Sequence, residues 1–255
     1  MFSSRITKAG GLVTGGGDVF RDEHSLSFGG DNDYLSCESN FESILFNAPF
    51  SMVFWLKADD GRPSAIEYLV GTKSGEDNIW ARIETDGDIQ FYYKEGSTES
   101  NVTASAYFAD GPSGWVELAF TLSDSAQVIY ANGVAIASGA TSISTSGFAQ
   151  DTNRDCVIAA RNNQGTPDGH FAGEISDFAF YNTALSASQI ATIYNGGEPY
   201  NHNEGSAAKS LLAWYRMGDG SENGANISYV YDMSLNSNDG VPKNMTVTAY
   251  SGDTP

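Results

Sequence analysis

Much of the chain alternates apolar and polar residues with the period of two that is typical of β-strands. In the segment 115–122 the even-numbered positions are apolar and are predicted to face a core, whereas Glu117, Ala119 and Thr121 are predicted to point outward. The segment 50–57, FSMVFWLK, is apolar on both faces. That pattern predicts a central strand that is covered on both sides.

Two dipeptides of the kind favoured in two-residue hairpin turns separate pairs of predicted strands. The pairs are 80–85 with 88–93 around Asp86-Gly87, and 126–131 with 134–138 around Asn132-Gly133. Many short strands at close spacing predict an all-β fold. We expect a two-sheet antiparallel jelly-roll sandwich with one short helix.

The one helix is predicted near the end of the stretch from Gly169 to Gly197. Ser186 and Gln189 have the spacing of a capping box, and apolar residues then recur at helical intervals until Asn195 and a glycine end the helix.

The strand before this helix contains an irregularity in its apolar pattern. Ile175 and Phe178 are three residues apart and cannot share one face of a regular strand, which predicts a bulge near Ser176 and Asp177. Glycoside hydrolysis needs two carboxyl groups facing one site, and Glu174 and Asp177 are out of phase unless the bulge aligns them. We therefore expect no catalytic residues.

Four segments together resemble the laminin G-like and pentraxin-like branch of the concanavalin A-like lectin/glucanase superfamily. They are SLSFGGDNDYLS, FSMVFWLKAD, GWVELAFTLSDSAQVIYANGVAIASG and GHFAGEISDFAFYNTALSASQIATIYNGG, in that order within residues 24–197. The resemblance implies a jelly-roll fold and a binding or adhesion role, as expected for a family of mostly non-catalytic modules.

These patterns divide the chain into four parts. We expect an N-terminal arm at 1–22, the sandwich at 23–197, a polar linker at 198–209 and C-terminal strands at 210–255. The last part looks like the opening strand and following turn of the same family's domains, displaced to the end of the chain. Two alternatives are open: it completes the sheets of its own chain, or it docks on a neighbouring subunit.

Charge restricts the partners of the protein. The formal net charge is -19, from 13 basic and 32 acidic residues, so nucleic acids and anionic membranes would repel the chain. The N-terminal segment has no apolar signal-peptide core, and no later run reaches membrane-spanning length. Cys37 and Cys156 are compatible either with two buried thiols or with a disulfide, if two strands bring them together.

Calcium is the cofactor that the resemblance implies, held by polar clusters after two strands. One cluster reads SGEDN and the other ARNNQGTPDG, which gives Glu76, Asp77, Asn78, Asn162, Asn163 and Asp168 as candidate ligands. Arg161 and two amides occupy places where the family has acids. The alternative is that these stretches are polar turns.

Exposed aromatic side chains are the candidate glycan-binding groups. Trp80, Tyr92 and Trp115 alternate with apparent core residues and can lie on an exposed sheet face, although they can equally pack under loops. The three histidines, at positions 24, 170 and 202, have no metal-ligand spacing and are expected at the surface or in turns.

The function expected first is therefore a non-enzymatic virion structural or decoration protein of a bacteriophage head or tail, oligomeric, with an adhesive jelly roll. This expectation rests on the resemblance to jelly-roll modules of phage particles and on the missing signal peptide. The alternative is a calcium-dependent glycan-binding lectin or adhesin, exported without a signal peptide. A glycosidase is the third.

Overall fold

The computed structural model describes residues 22–37, 49–74, 77–141, 155–218 and 228–255. Within them the chain forms two facing β-sheets and one short α-helix, and nearly all strand pairs are antiparallel. The all-β two-sheet sandwich expected from the sequence is thus confirmed.

The strands follow one another in chain order, with the helix α1 between β14 and β15. They are β1 (Ser25–Gly29), β2 (Tyr34–Ser36), β3 (Phe50–Ala58), β4 (Glu67–Ser74), β5 (Asp77–Ile83), β6 (Ile89–Glu95), β7 (Thr98–Ala104), β8 (Val116–Leu122), β9 (Ala126–Ala131), β10 (Val134–Ala140), β11 (Val157–Ile158), β12 (Arg161–Asn163), β13 (Thr166–Asp168), β14 (Ala172–Tyr181), α1 (Ala187–Tyr194), β15 (Leu211–Tyr215), β16 (Val241–Lys243) and β17 (Tyr250–Ser251).

Sheet A has the strand order β10-β9-β8-β3-β14-β1-β17, and β15 also pairs with β14. Sheet B has the order β16-β2-β11-β4-β5-β6-β7, and the β12–β13 hairpin joins it through β4. The core lies between the sheets and is rich in aromatic side chains. Phe54 stacks on Phe178 with ring centroids 4.4 Å apart, and both side chains are fully buried.

The predicted bulge in β14 is confirmed. Its register against β3 shifts between Ser176 and Ala179, and Asp177 has a φ of 53°. The bulge also divides the other edge of β14, because β1 pairs with residues 172–175 and β15 pairs with residues 178–181. An early strand and a late strand of the chain therefore share one edge of β14.

Helix α1 lies on the outer face of sheet A. Its predicted capping box is present, with Ser186 and Gln189 bonded reciprocally, and Asn195 ends the helix in the left-handed conformation. Ile190 and Ile193 are buried against the sheet. No helix in the described ranges is long and apolar enough to cross a membrane.

The outward orientation predicted for alternate residues of β8 does not lead to exposure. Glu117, Ala119 and Thr121 are all buried, although their side chains point away from the inter-sheet core. The reason is a second apolar cluster on this face, in which α1 and the chain around Ala207 pack on the outward side chains of sheet A, including Trp214 of β15. A two-residue alternation cannot reveal such a cover.

Side chains of the segment after β15 form hydrogen bonds to the backbone of that strand. Asp232 accepts from the backbone N–H of Trp214 at 2.9 Å, while the amides of Asn236 and Asn238 donate to the carbonyl of Leu212 at 3.0 and 2.8 Å. Unpaired backbone groups at a strand edge are thereby satisfied. The C-terminal strands lie within the two sheets of their own chain in this structure.

Candidate functional site

The outer face of sheet B carries the polar and aromatic side chains of β5. Ile79, Ala81 and Ile83 belong to the core between the sheets. Because successive residues of a strand point to opposite faces, Trp80 and Arg82 lie on the outer face.

Trp80 and Tyr92 are direct cross-strand partners in the β5–β6 pair. Their rings stack with centroids 4.2 Å apart and planes 12° from parallel. Tyr68 meets the edge of Trp80 with centroids 6.0 Å apart. Trp80 and Tyr92 remain partly exposed, whereas Tyr68 is buried. Two of the three aromatic residues selected from the sequence thus form one platform, which we call the aromatic face (Tyr68, Trp80 and Tyr92).

Two arginines border the aromatic face. The guanidinium carbon of Arg82 lies 5.5 Å from the Trp80 ring centroid, and that of Arg161 also lies 5.5 Å from it and 4.4 Å from the Tyr68 centroid. These are cation–π distances. Gly71 is the β4 partner of Trp80, and a Cβ at Gly71 would lie only 2.9 Å from the Trp80 Cβ. A side chain there would crowd the platform.

Each arginine is held by a carboxylate. Arg82 lies 2.6 Å from Glu84 and also donates to the Tyr68 hydroxyl at 3.1 Å. Arg161 donates to both carboxylate oxygens of Asp168, at 3.0 and 2.8 Å. A bidentate pair of this kind fixes the plane of the guanidinium. The two cations are therefore oriented before any ligand arrives.

Three buried polar atoms at this face have no hydrogen-bond partner among the described residues: Trp80 Nε1, Arg82 Nε and Asn163 Oδ1. A buried polar atom without a partner costs free energy, on the order of 1–3 kcal/mol. Such atoms are therefore usually matched by ordered water, and the burial of these three closes them to a ligand on the surface. The outer face of sheet B thus combines partly exposed aromatic surface with two fixed cations.

Trp115, the third aromatic residue selected from the sequence, lies on the other sheet. It immediately precedes β8, and its indole N–H donates to Asp253 at 3.0 Å. Asp253 also pairs with Lys57. The structure does not bring Trp115 to the aromatic face.

The two loops proposed for calcium meet at one end of sheet B, because Asn163 pairs with Lys73 and Lys73 pairs with Asn78. Asp77 accepts from the backbone N–H of Gly96 at 2.8 Å. Glu76 lies outside the described residues. Among those described, no group of three or more His, Cys, Asp or Glu side chains is arranged to hold a metal ion.

The second of these loops does not fit a tight calcium site. Its only carboxylate, Asp168, accepts from Arg161 and from the amide of Asn163 at 2.9 Å. Asn162 supports the turn by accepting from Gly165 N–H at 2.8 Å and donating to the Asp155 carbonyl at 3.0 Å. A calcium ion would have to compete with a guanidinium for Asp168. Calcium binding by the chain stays a prediction.

His202 lies in a turn, one of the two places expected for the histidines, but it is buried there. Its Nε2 lies 3.1 Å from Asp177, and its Nδ1 is hydrogen-bonded to the Tyr181 hydroxyl. The other oxygen of Asp177 accepts from the Trp214 indole N–H. This buried cluster (Asp177, Tyr181, His202 and Trp214) lies beneath the C-terminal part of the chain.

Neither carboxylate of the rejected catalytic pair is free. Glu174 pairs with Lys57 at 3.1 Å, and Asp177 belongs to the buried cluster. A third acid, Glu117, is buried nearby, and neither of its carboxylate oxygens has a partner among the described residues. Burial, and then the charge of Asp177, raise the pKa of Glu117 to about 8. Burial thus favours the protonated form of Glu117 far more than in an exposed glutamate.

Sequence reasoning missed the two arginines of the aromatic face. Arg82 follows Trp80 by two residues in a predicted strand, so alternation alone could have placed it on the same face. Arg161 gave no such signal, since its approach to Tyr68 depends on the parallel pairing of β12 with β4.

Solved structures of other proteins share this fold. A putative carbohydrate-binding protein from Bacteroides ovatus is 17% identical with a TM-score of 0.64, over 89% of this chain and 60% of that protein. The CBM40 module of the Ruminococcus gnavus IT-sialidase is 16% identical with a TM-score of 0.55, over 67% of this chain and 96% of the module. The leech intramolecular trans-sialidase is also 16% identical with a TM-score of 0.54, over 81% of this chain and 31% of that protein.

At these identities the likeness concerns the fold alone. A comparison with curated protein sequences gives no match. The sequence model of the family Laminin_G_3, described as concanavalin A-like lectin/glucanases superfamily, matches residues 28–191, which is more than half of the chain. The chain therefore belongs to the Laminin_G_3 family of the concanavalin A-like lectin/glucanase superfamily.

Proposed function

We propose that this protein is a non-enzymatic glycan-binding domain whose ligand lies on the outer face of sheet B. The observation that carries this proposal is the Trp80–Tyr92 stack with Arg82 and Arg161 beside it. Sugar rings present C–H faces that pack on aromatic rings, while their hydroxyl groups need polar partners. The partly exposed rings of Trp80 and Tyr92 supply the first, and the guanidinium groups of Arg82 and Arg161 beside them supply the second.

The chemistry of the face favours an acidic sugar. The partly exposed polar groups beside the rings are the guanidinium groups of Arg82 and Arg161, which only donate hydrogen bonds, so a matching ligand is rich in acceptors. Each guanidinium carries five N–H donors and already pairs with one carboxylate, Glu84 or Asp168, so a carboxylate or sulfate group of the ligand would bind the N–H groups that these partners leave over. The CBM40 module similar in fold has been solved bound to α2,3-sialyllactose, a carboxylated sugar, which supports the same ligand class.

The absence of catalysis is part of the proposal. Glu174 is held by Lys57, and Asp177 is buried and bonded to His202 and Trp214. Neither is placed to reach a sugar on the outer face of sheet B, because both belong to β14 of sheet A.

A panel of immobilised neutral and acidic oligosaccharides tests the proposal. We expect the purified chain to bind carboxylated or sulfated members and to leave all of them uncleaved. Binding to neutral sugars alone would remove the acidic-ligand part, and binding to none would remove the proposed function. Release of reducing sugar would overturn the non-enzymatic part.

An assembly role is the second candidate, and one observation favours it. Strand β10 is an edge strand of sheet A, and no strand in the described ranges pairs with its outer edge. Residues 125–150, which include β10, contain no charged side chain in a chain of net charge -19. Edge strands of monomeric proteins are commonly protected by charges, particularly lysine. An uncharged edge would let another copy add to sheet A with little repulsion.

Light scattering tests this assembly role. The predicted place of the protein in a virion depends on the same role. We expect wild-type oligomers to dissociate when Ala135 and Ser138, both exposed on β10, are replaced by lysine. Ala191→Lys, on the exposed side of α1, is the control for added charge. A monomeric wild-type chain, or oligomers that survive the edge substitutions, would contradict assembly through β10.

Calcium binding remains a separate proposal, derived from the family resemblance and the loops at 77–78 and 162–168. Calorimetry with calcium on chelator-treated protein tests it. Heat together with a higher melting temperature would support it, and the absence of both would remove it.

A further inference from the structure

Cys37 and Cys156 lie opposite each other on neighbouring antiparallel strands. In the β2–β11 pair, Ser36 is the partner of Val157, and the next step of this register places Cys37 against Cys156. The backbone N–H of Cys37 donates to the carbonyl of Cys156 at 2.9 Å. Opposite residues of a hydrogen-bonded antiparallel pair have Cα atoms about 5.5 Å apart. That separation falls in the range that disulfides span, about 4.4–6.8 Å. The Cβ atoms of such a pair lie toward the upper end of about 4.5–5.5 Å, wider than the roughly 3.5–4.5 Å of a disulfide, so the bond also requires a small approach of the two strands.

The two side chains also point to the same place. Both thiols belong to the core between the sheets and are buried. A hydrogen bond between Cys37 and Cys156, followed by burial, raises the pKa of the Cys156 thiol. The two sulfur atoms are therefore close to each other, as the two backbone segments are.

We propose that Cys37 and Cys156 form an intramolecular disulfide when the chain folds in an oxidising environment. The sequence left thiols and disulfide as alternatives, and the β2–β11 register supplies the condition that the disulfide required.

The oxidant that we name for this step is a low-molecular-weight disulfide such as oxidised glutathione. One cysteine thiolate attacks it, forms a mixed disulfide and releases one glutathione thiolate. The second cysteine thiolate then attacks the protein sulfur of the mixed disulfide and releases the other glutathione. Two protein thiols lose two protons and two electrons, and one oxidised glutathione becomes two reduced molecules.

The location of the bond determines its consequences. Strands β2 and β11 are interior strands of sheet B, with β16 on one side and β4 on the other. The bond would close a long loop of chain and tie the N-terminal part to the strands beside β12, which carries Arg161. Cross-links that close long loops restrict the unfolded chain most, so the oxidised protein should be the more stable form.

Burial determines when the bond can form. Thiolates are the reacting species, and both the exclusion of water and the raised pKa disfavour the Cys156 thiolate in the folded chain. Tyr215 of β15 is also fully buried and is hydrogen-bonded to Cys37. Oxidation should therefore be fast during folding and slow once the sandwich has closed.

Refolding of the reduced, denatured full chain in a glutathione redox buffer tests this proposal. We expect titratable thiols to fall from two per chain to none, a mass lower by two hydrogen atoms, and a peptide that links Cys37 with Cys156. The melting temperature should rise by about 5–10 °C over the reduced form and return on reduction. The variant Cys37→Ala/Cys156→Ala should show no such dependence on the redox buffer.

Three results would overturn the proposal: two titratable thiols after refolding with oxidised glutathione, a stable mixed disulfide on either cysteine, or a melting temperature that oxidation lowers. Thiol titration of the native reduced chain tests separately whether the folded structure protects the two thiols from reaction. Its two thiols should react only after denaturant is added, whereas reaction without denaturant would contradict their burial.

Discussion

The indole ring of Trp80 stacks on the phenol ring of Tyr92, with centroids 4.2 Å apart and planes 12° from parallel. The pair is fixed by the register of β5 and β6, and the Tyr92 hydroxyl is further held by Glu99 at 3.0 Å. A surface whose rings are already ordered loses little conformational entropy when a ligand binds. This relationship is the basis of the proposed glycan site.

The charge of the site predicts how substitutions change its affinity. Arg82→Gln should weaken the binding of an acidic oligosaccharide by about 10-fold or more, because a charge-assisted hydrogen bond contributes roughly 1.5–3 kcal/mol. The wild-type affinity should also fall as salt is added. Lys209→Gln changes the charge equally on an exposed residue near sheet A and is the control. Equal losses in the two variants would indicate a general charge effect and contradict a site at Arg82.

The buried carboxyl group of Glu117 leads us to expect that the free energy of unfolding falls as pH rises. Its pKa is about 8 in the folded protein, against an ordinary value of 4.5, so the folded chain holds this proton more tightly than the unfolded chain does. The stabilisation is complete below the unfolded pKa and is lost as pH rises through the folded pKa. Glu117→Gln should remove a decline on the order of 3 kcal/mol between pH 5 and pH 8.

Urea denaturation at several pH values measures this effect. Glu67 contributes in the same direction, since burial raises its pKa to about 7, so some decline should remain in the Glu117→Gln variant. A variant whose stability depends on pH as strongly as the wild type would show that Glu117 is not buried as described.

The buried cluster predicts a large cost for removing Asp177. Asp177→Ala would leave the Trp214 indole N–H and His202 Nε2 without their acceptor, and we expect a loss of about 3 kcal/mol or more in the free energy of unfolding. Asp253→Asn removes a carboxylate from an exposed pair with Lys57 and should change stability by less than about 1 kcal/mol. Similar losses in both variants, measured by chemical denaturation, would contradict the burial of the cluster.

The C-terminal strands predict the result of truncation. Removing residues 210–255 would take β15 from the edge of β14 and expose core residues that now contact Ala213 and Tyr215. We expect an insoluble or unfolded product. A soluble fragment that ends at residue 209 and unfolds cooperatively would show that these strands are dispensable, as expected if they docked on a neighbouring subunit.

Local signals in the sequence were sufficient for several features. The capping box of α1 involves Ser186 and Gln189, three residues apart, and the bulge at Asp177 follows from a break in the alternation of one strand. The Trp80–Tyr92 platform could be predicted in part, because each of the two residues alternates with core residues of its own strand.

Other features depend on pairings between distant parts of the chain. Arg161 reaches Trp80 only because β12 joins β4, and His202 reaches Asp177 only because the segment after α1 folds back over sheet A. Glu117, which alternation predicts on an outer face, is buried as well. Strand patterns indicate which face a side chain uses but not what later covers that face.

The most direct test of the proposed glycan site is calorimetric titration of three proteins with the best-binding acidic oligosaccharide. Wild type and Trp115→Ala, whose altered residue lies on sheet A, should bind with the same affinity. Tyr92→Ala removes half of the aromatic stack and should weaken binding at least about 10-fold while the melting temperature stays near that of the wild type. Unchanged affinity in Tyr92→Ala, or a loss confined to Trp115→Ala, would contradict a glycan site on the outer face of sheet B.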